Sequence, residues 1–233
     1  MWRVNLSKGR STRRDALRER MGDEAMKSKR LFAQVDMFSV IEHQKQEAAK
    51  RVQKIDPGYL QTTSEDEIVG QIVSEFRLDV PVINDDKIYV AEHGEAQVDV
   101  SRDFNRHIPD RGRPFYVTGI KTTIAIPFEG DAELFKVMPN SYTNSRPSGD
   151  IVGKEIRLTY SQAEPNAAAI KNAYTKTVQE IKQYLDWQRP SAEEFNKEVE
   201  ALVRQRILDR KNNLTCSAGM IDSLGLPTKK PGS

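Results

Sequence analysis

Between His93 and Arg113 the chain gathers residue types that bind metals, move protons or grip phosphates. His93, Glu95, Asp99, Asp103 and His107 fall within this stretch, and in one pocket such groups hold a divalent cation or pass a proton. The spacing argues against that use. A shared strand would set His93 and Glu95 on one face, but Gly94 between them reads as a hairpin turn that splays them. No His-Glu-x-x-His helix is present to supply a zinc site. An ordinary turn and a solvated strand face are expected, with no metal ligand and no catalytic residue assigned.

Arg102, Arg106, Arg111 and Arg113 lie in the same stretch, in a loop that also holds Gly112 and Pro109. Guanidinium groups can grip phosphates as bidentate forks. Asp103 and Asp110 are placed to pair with them, so internal ion pairs compete with any ligand. This loop is the best small-site candidate in the chain. Weaker motifs fall away on spacing. Gly119-Ile120-Lys121-Thr122-Thr123 resembles a phosphate loop, but position 115 is Phe, Lys121 does not follow Gly119 directly, and the residues lie inside a strand. The acids of Pro127-Phe128-Glu129-Gly130-Asp131 and Glu133 lack a strand-borne Glu-x-Lys, because Phe135 occupies the lysine position. Glu180-Ile181-Lys182 has the right letters on a helix, which is the wrong element for that metal chemistry. A tight turn is the expected role of Gly130.

A second concentration of positive charge opens the chain. Residues 1–30 carry ten Lys and Arg against four acids, a balance of +6 that leaves −4 for the other 203 residues. Arg10, Arg13, Arg14 and Arg18 lie within it. Such an arm suits a polyanion or is a solvated tail. Composition sets wider bounds. The chain has 233 residues, 37% hydrophobic and 30% charged, and a mean hydropathy of −0.65. That is a lean core with exposed helices around it. Its apolar runs are far short of the roughly 20 residues that span a bilayer, no apolar stretch follows the start as in a secretory signal, and the single Cys216 suits a reducing cytoplasm.

The elements that would position these residues can be read from periodicity. Residues 1–34 form a basic, partly disordered arm. One α+β domain follows over 35–222, and 223–233 is a linker-like tail. Phe38, Ile41, Ala48, Val52 and Ile55 make one helical stripe over 36–55, stopped by Asp56-Pro57-Gly58. Ser64 with Glu67 forms a capping box for a second helix, 64–76. From about 80 to 160 the period falls to two. The predicted strands include 88–91, 96–100, 115–126 ending at Pro127, 134–137 and 155–160, and short links make an antiparallel meander the simplest arrangement. Two stripes follow: Ile170, Tyr174, Val178, Ile181 and Leu185, then Phe195, Val199, Leu202, Val203 and Ile207. Arg189-Pro190 breaks between them and Ser191 with Glu194 caps the second, which predicts an antiparallel helical hairpin over 166–213. The expected fold class is α+β, an antiparallel β-meander core flanked by N-terminal helices and that C-terminal hairpin.

Several short motifs carry a resemblance: Ile126-Pro127-Phe128-Glu129-Gly130-Asp131 with Leu134-Phe135, Phe195-Asn196, Arg210-Lys211, and Leu224-Gly225-Leu226-Pro227. Over roughly residues 35–230 the chain resembles the N-terminal region of uncharacterised bacterial proteins with a C-terminal restriction-endonuclease-like domain. In such proteins the nuclease acids and lysine lie beyond the Leu-Gly-Leu-Pro exit. The resemblance therefore implies a separated or truncated half, and no catalytic residue carries over. The expectation is a non-catalytic recognition or assembly module of a nuclease-type bacterial defence function, meeting a protein partner or a second copy through helices 166–213. The alternative is a nucleic-acid-binding protein using Arg10, Arg13, Arg14 and Arg18 of the arm with the arginine loop. A metal-dependent hydrolase centred on 93–107 is the third reading. No cofactor and no membrane contact are expected.

Overall fold

The structure, a computed structural model, describes residues 29–143 and 145–224. Its elements in chain order are β1 Val35–Asp36, α1 Met37–Gln53, α2 Pro57–Thr62, α3 Glu65–Phe76, β2 Val82–Ile83, β3 Tyr89–Asp99, β4 Tyr116–Glu129, β5 Val137–Met138, β6 Asp150–Val152, β7 Glu155–Gln162 and α4 Ala167–Ser223. Short 3-10 turns lie at Asp85–Lys87 and Ala132–Lys136. Among the described residues no helix is long and apolar enough to cross a membrane.

Three of the helices start where the capping chemistry puts them. The Asp36 carboxylate accepts from the Ser39 amide and hydroxyl, both at 2.8 Å, and opens α1. Phe38, expected on the buried stripe, is 69% exposed, and Met37 takes the buried place. Asp56-Pro57 ends the first helical run but also starts α2, with Asp56 accepting from Tyr59 N at 3.0 Å and proline at the first turn. Ser64 caps α3 by accepting from Glu67 N at 3.3 Å, one half of the expected box.

The sheet is antiparallel, in the order β3–β4–β7–β6, with β2 continuing the β3 flank of β4. It is not a strict meander, because β7 pairs with β4 and the earlier β6 lies outside it. β3 runs unbroken through Gly94, from Tyr89↔Ala125 to Asp99↔Tyr116 with one irregularity at Ala91, so the turn expected there does not exist. β4 passes through Pro127, which needs no N–H in the ladder at that position, and ends at Glu129. The predicted strand 134–137 is a 3-10 turn followed by two residues of β5, which pairs in parallel with β1. Gly119 is required by packing: a Cβ there would run into the Gln162 carbonyl.

The main correction concerns the C-terminal third. Residues Ala167–Ser223 form one helix with Pro190 inside it, not a hairpin, and Ser191 caps nothing. At 1.5 Å per residue α4 is about 85 Å long. Its first half lays Val178, Ile181, Tyr184 and Leu185 on Ile124, Ile126, Phe128, Ile156 and Leu158 of the sheet. Its second half lays Ala192, Phe195, Val199, Val203 and Ile207 on α1, α2 and α3. Pro190 is exposed, so the Asp186 carbonyl that loses its donor faces water. Each half is held by its own core, and folding back would strip one stripe from its partners. Between the two cores Gln188 is fully buried and donates through Nε2 to the carbonyls of Leu134 at 2.9 Å and Val137 at 2.6 Å. Asn196 clamps Leu78 in both directions: its Oδ1 accepts from Leu78 N at 2.9 Å and its Nδ2 donates to Leu78 O at 3.0 Å.

Candidate functional site

The arginine loop, Val100 to Phe115, joins β3 to β4 at the tip of the longest hairpin. Its base is closed by Val100 N donating to Phe115 O at 2.8 Å. Asp99 Oδ1 accepts from Ser101 N at 2.9 Å and Phe115 N at 3.2 Å. The backbone and side chain of Ser101 hold the Asp99 carboxyl below its ordinary range, and Arg102 adds to the effect. Val100 and Ile108 tuck inward as apolar anchors. Asp103 accepts from Asn105 N at 3.0 Å and from Arg106 Nε at 3.1 Å.

The four predicted arginines divide into two kinds. Arg111 is consumed by the loop: its guanidinium donates to the carbonyls of Ser101 at 3.1 Å, Asp103 at 3.0 Å and Arg106 at 2.7 Å. Arg106 pairs with Asp103 and reaches Glu164 at 2.7 Å, tying the loop to the connection before α4. Arg113 stands 87% exposed with one loose pair, 3.6 Å to Asp110, and Arg102 is exposed. Aromatic rings share the tip. Phe104 is 87% exposed with the Arg111 guanidinium 5.3 Å from its ring centre, and Phe115 and Tyr116 are about half exposed. The result is a loop ordered by its own carboxylates with Arg106 and Arg111, carrying outward Arg102, the loosely paired Arg113 and a largely exposed aromatic ring. Arg10, Arg13, Arg14 and Arg18 lie outside the described residues.

The remaining sequence candidates are dispersed. His93 and Glu95 do share one strand, and His93 Nδ1 lies 3.0 Å from Thr122 Oγ1. Among the described residues no group of three His, Cys, Asp or Glu is placed to hold a metal ion. Asp131 caps the 3-10 turn by accepting from Glu133 N at 2.9 Å, Glu133 pairs with Lys136, and Glu129 accepts from Asn84. Lys182 bonds to Asp85. A polar network escaped the sequence reading. On the sheet face away from α4, Tyr89 Oη donates to Glu155 at 2.7 Å, Thr123 donates to Glu92 at 3.3 Å, and Thr123 meets Thr159 at 3.2 Å. Glu155 pushes the Tyr89 phenol upward, and Arg157 Nε beside it is buried without a partner. The signal was the alternation Glu155, Arg157, Thr159, Ser161 along β7, a period-two polar face. Opposite charges there are balanced, with Lys121 and Arg157 beside Glu92 and Glu155, so the network carries no bias toward one ligand. No protein-family model matches the chain, and it matches no curated protein and no solved structure.

Proposed function

We propose that the chain is a non-catalytic recognition or assembly module that presents the arginine and aromatic residues of loop 100–115 to an anionic partner. One observation carries the reading: the loop satisfies its own backbone through Asp99, Asp103 and Arg111, while Arg113 and Phe104 are held outward at 87% exposure. A preordered loop loses little conformational freedom on binding, and a cation beside an exposed ring suits phosphate together with a stacked base. Nucleic acid is thus the first partner to test, and an acidic protein surface is the second reading, favoured by the same charge. The nuclease-linked defence setting and the cytoplasmic location rest on the sequence resemblance and cysteine usage. The inward stripe of α4 is occupied by the chain's own cores, so a protein partner on that helix would use its outer face.

The test is titration of the full chain with single-stranded and duplex DNA at two salt concentrations, beside Phe104→Ala/Arg113→Ala. The reading expects salt-dependent binding that the double substitution weakens about tenfold or more, a stacked ring alone being worth about 1–3 kcal/mol. Binding that ignores the substitution would move the contact away from the loop, and no binding at low salt would leave the acidic-protein reading.

A further inference from the structure

We propose that two copies of this chain join along the outer edges of β3, antiparallel about a twofold axis at Gly94, to make one continuous sheet. β3 is eleven residues long and mostly exposed. It pairs with β4 on one side, and among the described residues no strand covers the other. Such an edge offers a row of unpaired N–H and C=O groups, which proteins ordinarily blunt with proline, lysine or a covering element. β3 contains no proline and no lysine, its acids Glu92, Glu95 and Asp99 restrict which registers can form, and its irregularity at Ala91 protects only the first end.

Gly94 is an independent observation. A glycine inside a strand weakens it and often marks the close approach of another backbone. Among the described residues nothing calls for it: its φ is outside the left-handed region and a Cβ would meet no atom within 4 Å. As the midpoint of β3 it is the residue on which a full-length antiparallel self-pair centres.

Charge then selects the register. In an antiparallel self-pair a residue must face its own copy, because a one-residue offset sets outward backbone groups against inward ones. Centred on Gly94, His93 faces the partner's Glu95 and Glu95 faces the partner's His93, two complementary pairs. Centring on Glu92 or Glu95 opposes two glutamates, and centring on His93 opposes two histidines. Centring on Ala96 sets His93 against Asp99 but leaves Tyr89–Glu92 unpaired, whereas Gly94 is the midpoint of β3 and pairs all eleven residues. Like charges directly opposite destabilise a sheet and opposite charges support it. When the Thr122 hydroxyl donates to His93 Nδ1, Nε2 carries the proton and can donate to the facing carboxylate.

This contact leaves Phe104 and Arg113 free, so it can fail without the recognition reading failing. The experiment is sedimentation of the full chain across micromolar concentrations, where twice the chain mass is expected. His93→Glu sets two glutamate pairs in opposition and should weaken the dimer about tenfold or more, and adding Glu95→Lys should bring it back to within about threefold. Gly94→Cys in a Cys216→Ser background should cross-link the copies under mild oxidation, because facing strand residues lie within the roughly 4.4–6.8 Å Cα range of a disulfide. A monomer at every concentration overturns the proposal. So does a dimer unchanged by His93→Glu, a loss that Glu95→Lys does not recover, or a dimer that Gly94→Cys fails to cross-link.

Discussion

Arg111 and Arg113 are two residues apart and chemically identical, yet one holds the loop and the other decorates it. Arg111 serves three carbonyls, a fork that a lysine cannot reproduce. Arg111→Lys should therefore loosen residues 100–115, read as faster proteolysis within the loop, while the melting of the core stays put. Arg113→Ala should alter neither. The sequence made the pairing of Asp103 and Asp110 legible, since both partners carry formal charge. It could not show that the acceptors of Arg111 are backbone carbonyls, because every residue has one and only the loop's path decides which converge. Asp36 offers a pH test at the same scale. Its bonds from Ser39 hold the carboxyl below the ordinary value, so its contribution is complete above the unfolded value near pH 4 and is lost as pH falls through the folded one. Asn caps a helix about as well as Asp. Asp36→Asn should thus keep α1 but flatten the loss of stability as pH falls below about 4, and an unchanged acid profile in urea melts would contradict this.

At the scale of elements, α1, α3 and β4 were legible because their signals are local: a capping hydroxyl, a stripe, an alternation. β3 reads as two strands because Gly94 looks like a turn, although the pairing with β4 carries it through. Strand order was not legible, since the pairing of β7 with β4 depends on contacts far apart in sequence. α4 is the instructive case. Arg189-Pro190 looks like a stop, and the penalty for proline in a helix is real, but whether it ends the helix depends on which face it occupies. The spacing 181, 185, 188, 192, 195, 199, 203, 207 stays in helical phase across Pro190, and that continuity was the available clue. In a single helix with Pro190 facing solvent, Pro190→Ala restores the bond to Asp186 O and should stabilise the fold by about 1–3 kcal/mol. In a hairpin it would be neutral or harmful, so an unchanged or lower denaturant midpoint would favour a break. Leu185, 1% exposed, should cost about 2–5 kcal/mol as Ala, and the half-buried Leu202 less.

For the whole molecule, α4 is the member common to both cores, and it is not their sole link. Leu134 and Val137 belong to the helical core while Phe135, between them, stacks edge-on against Phe128 of the sheet at 4.8 Å. Gln188 fastens that segment to α4 from the middle through two buried hydrogen bonds. Two bridges in parallel, one a rigid helix and the other a turn wedged between the cores, should make the halves unfold together. Damage to either core must then lower one shared transition. Ile181 in the sheet core and Ile207 in the helical core are both 0% exposed, and each Ile→Ala should cost about 2–5 kcal/mol. Trp187 packs against the sheet core, so in a Trp2→Phe background its fluorescence reports that half alone, while far-UV circular dichroism reports mainly the helices. Coincident curves are the expectation for a two-state fold, with Ile207→Ala moving the Trp187 signal as far as Ile181→Ala does. If Ile207→Ala left the fluorescence transition in place and split the dichroism curve in two, α4 would be a tether between independent units and not a shared spine.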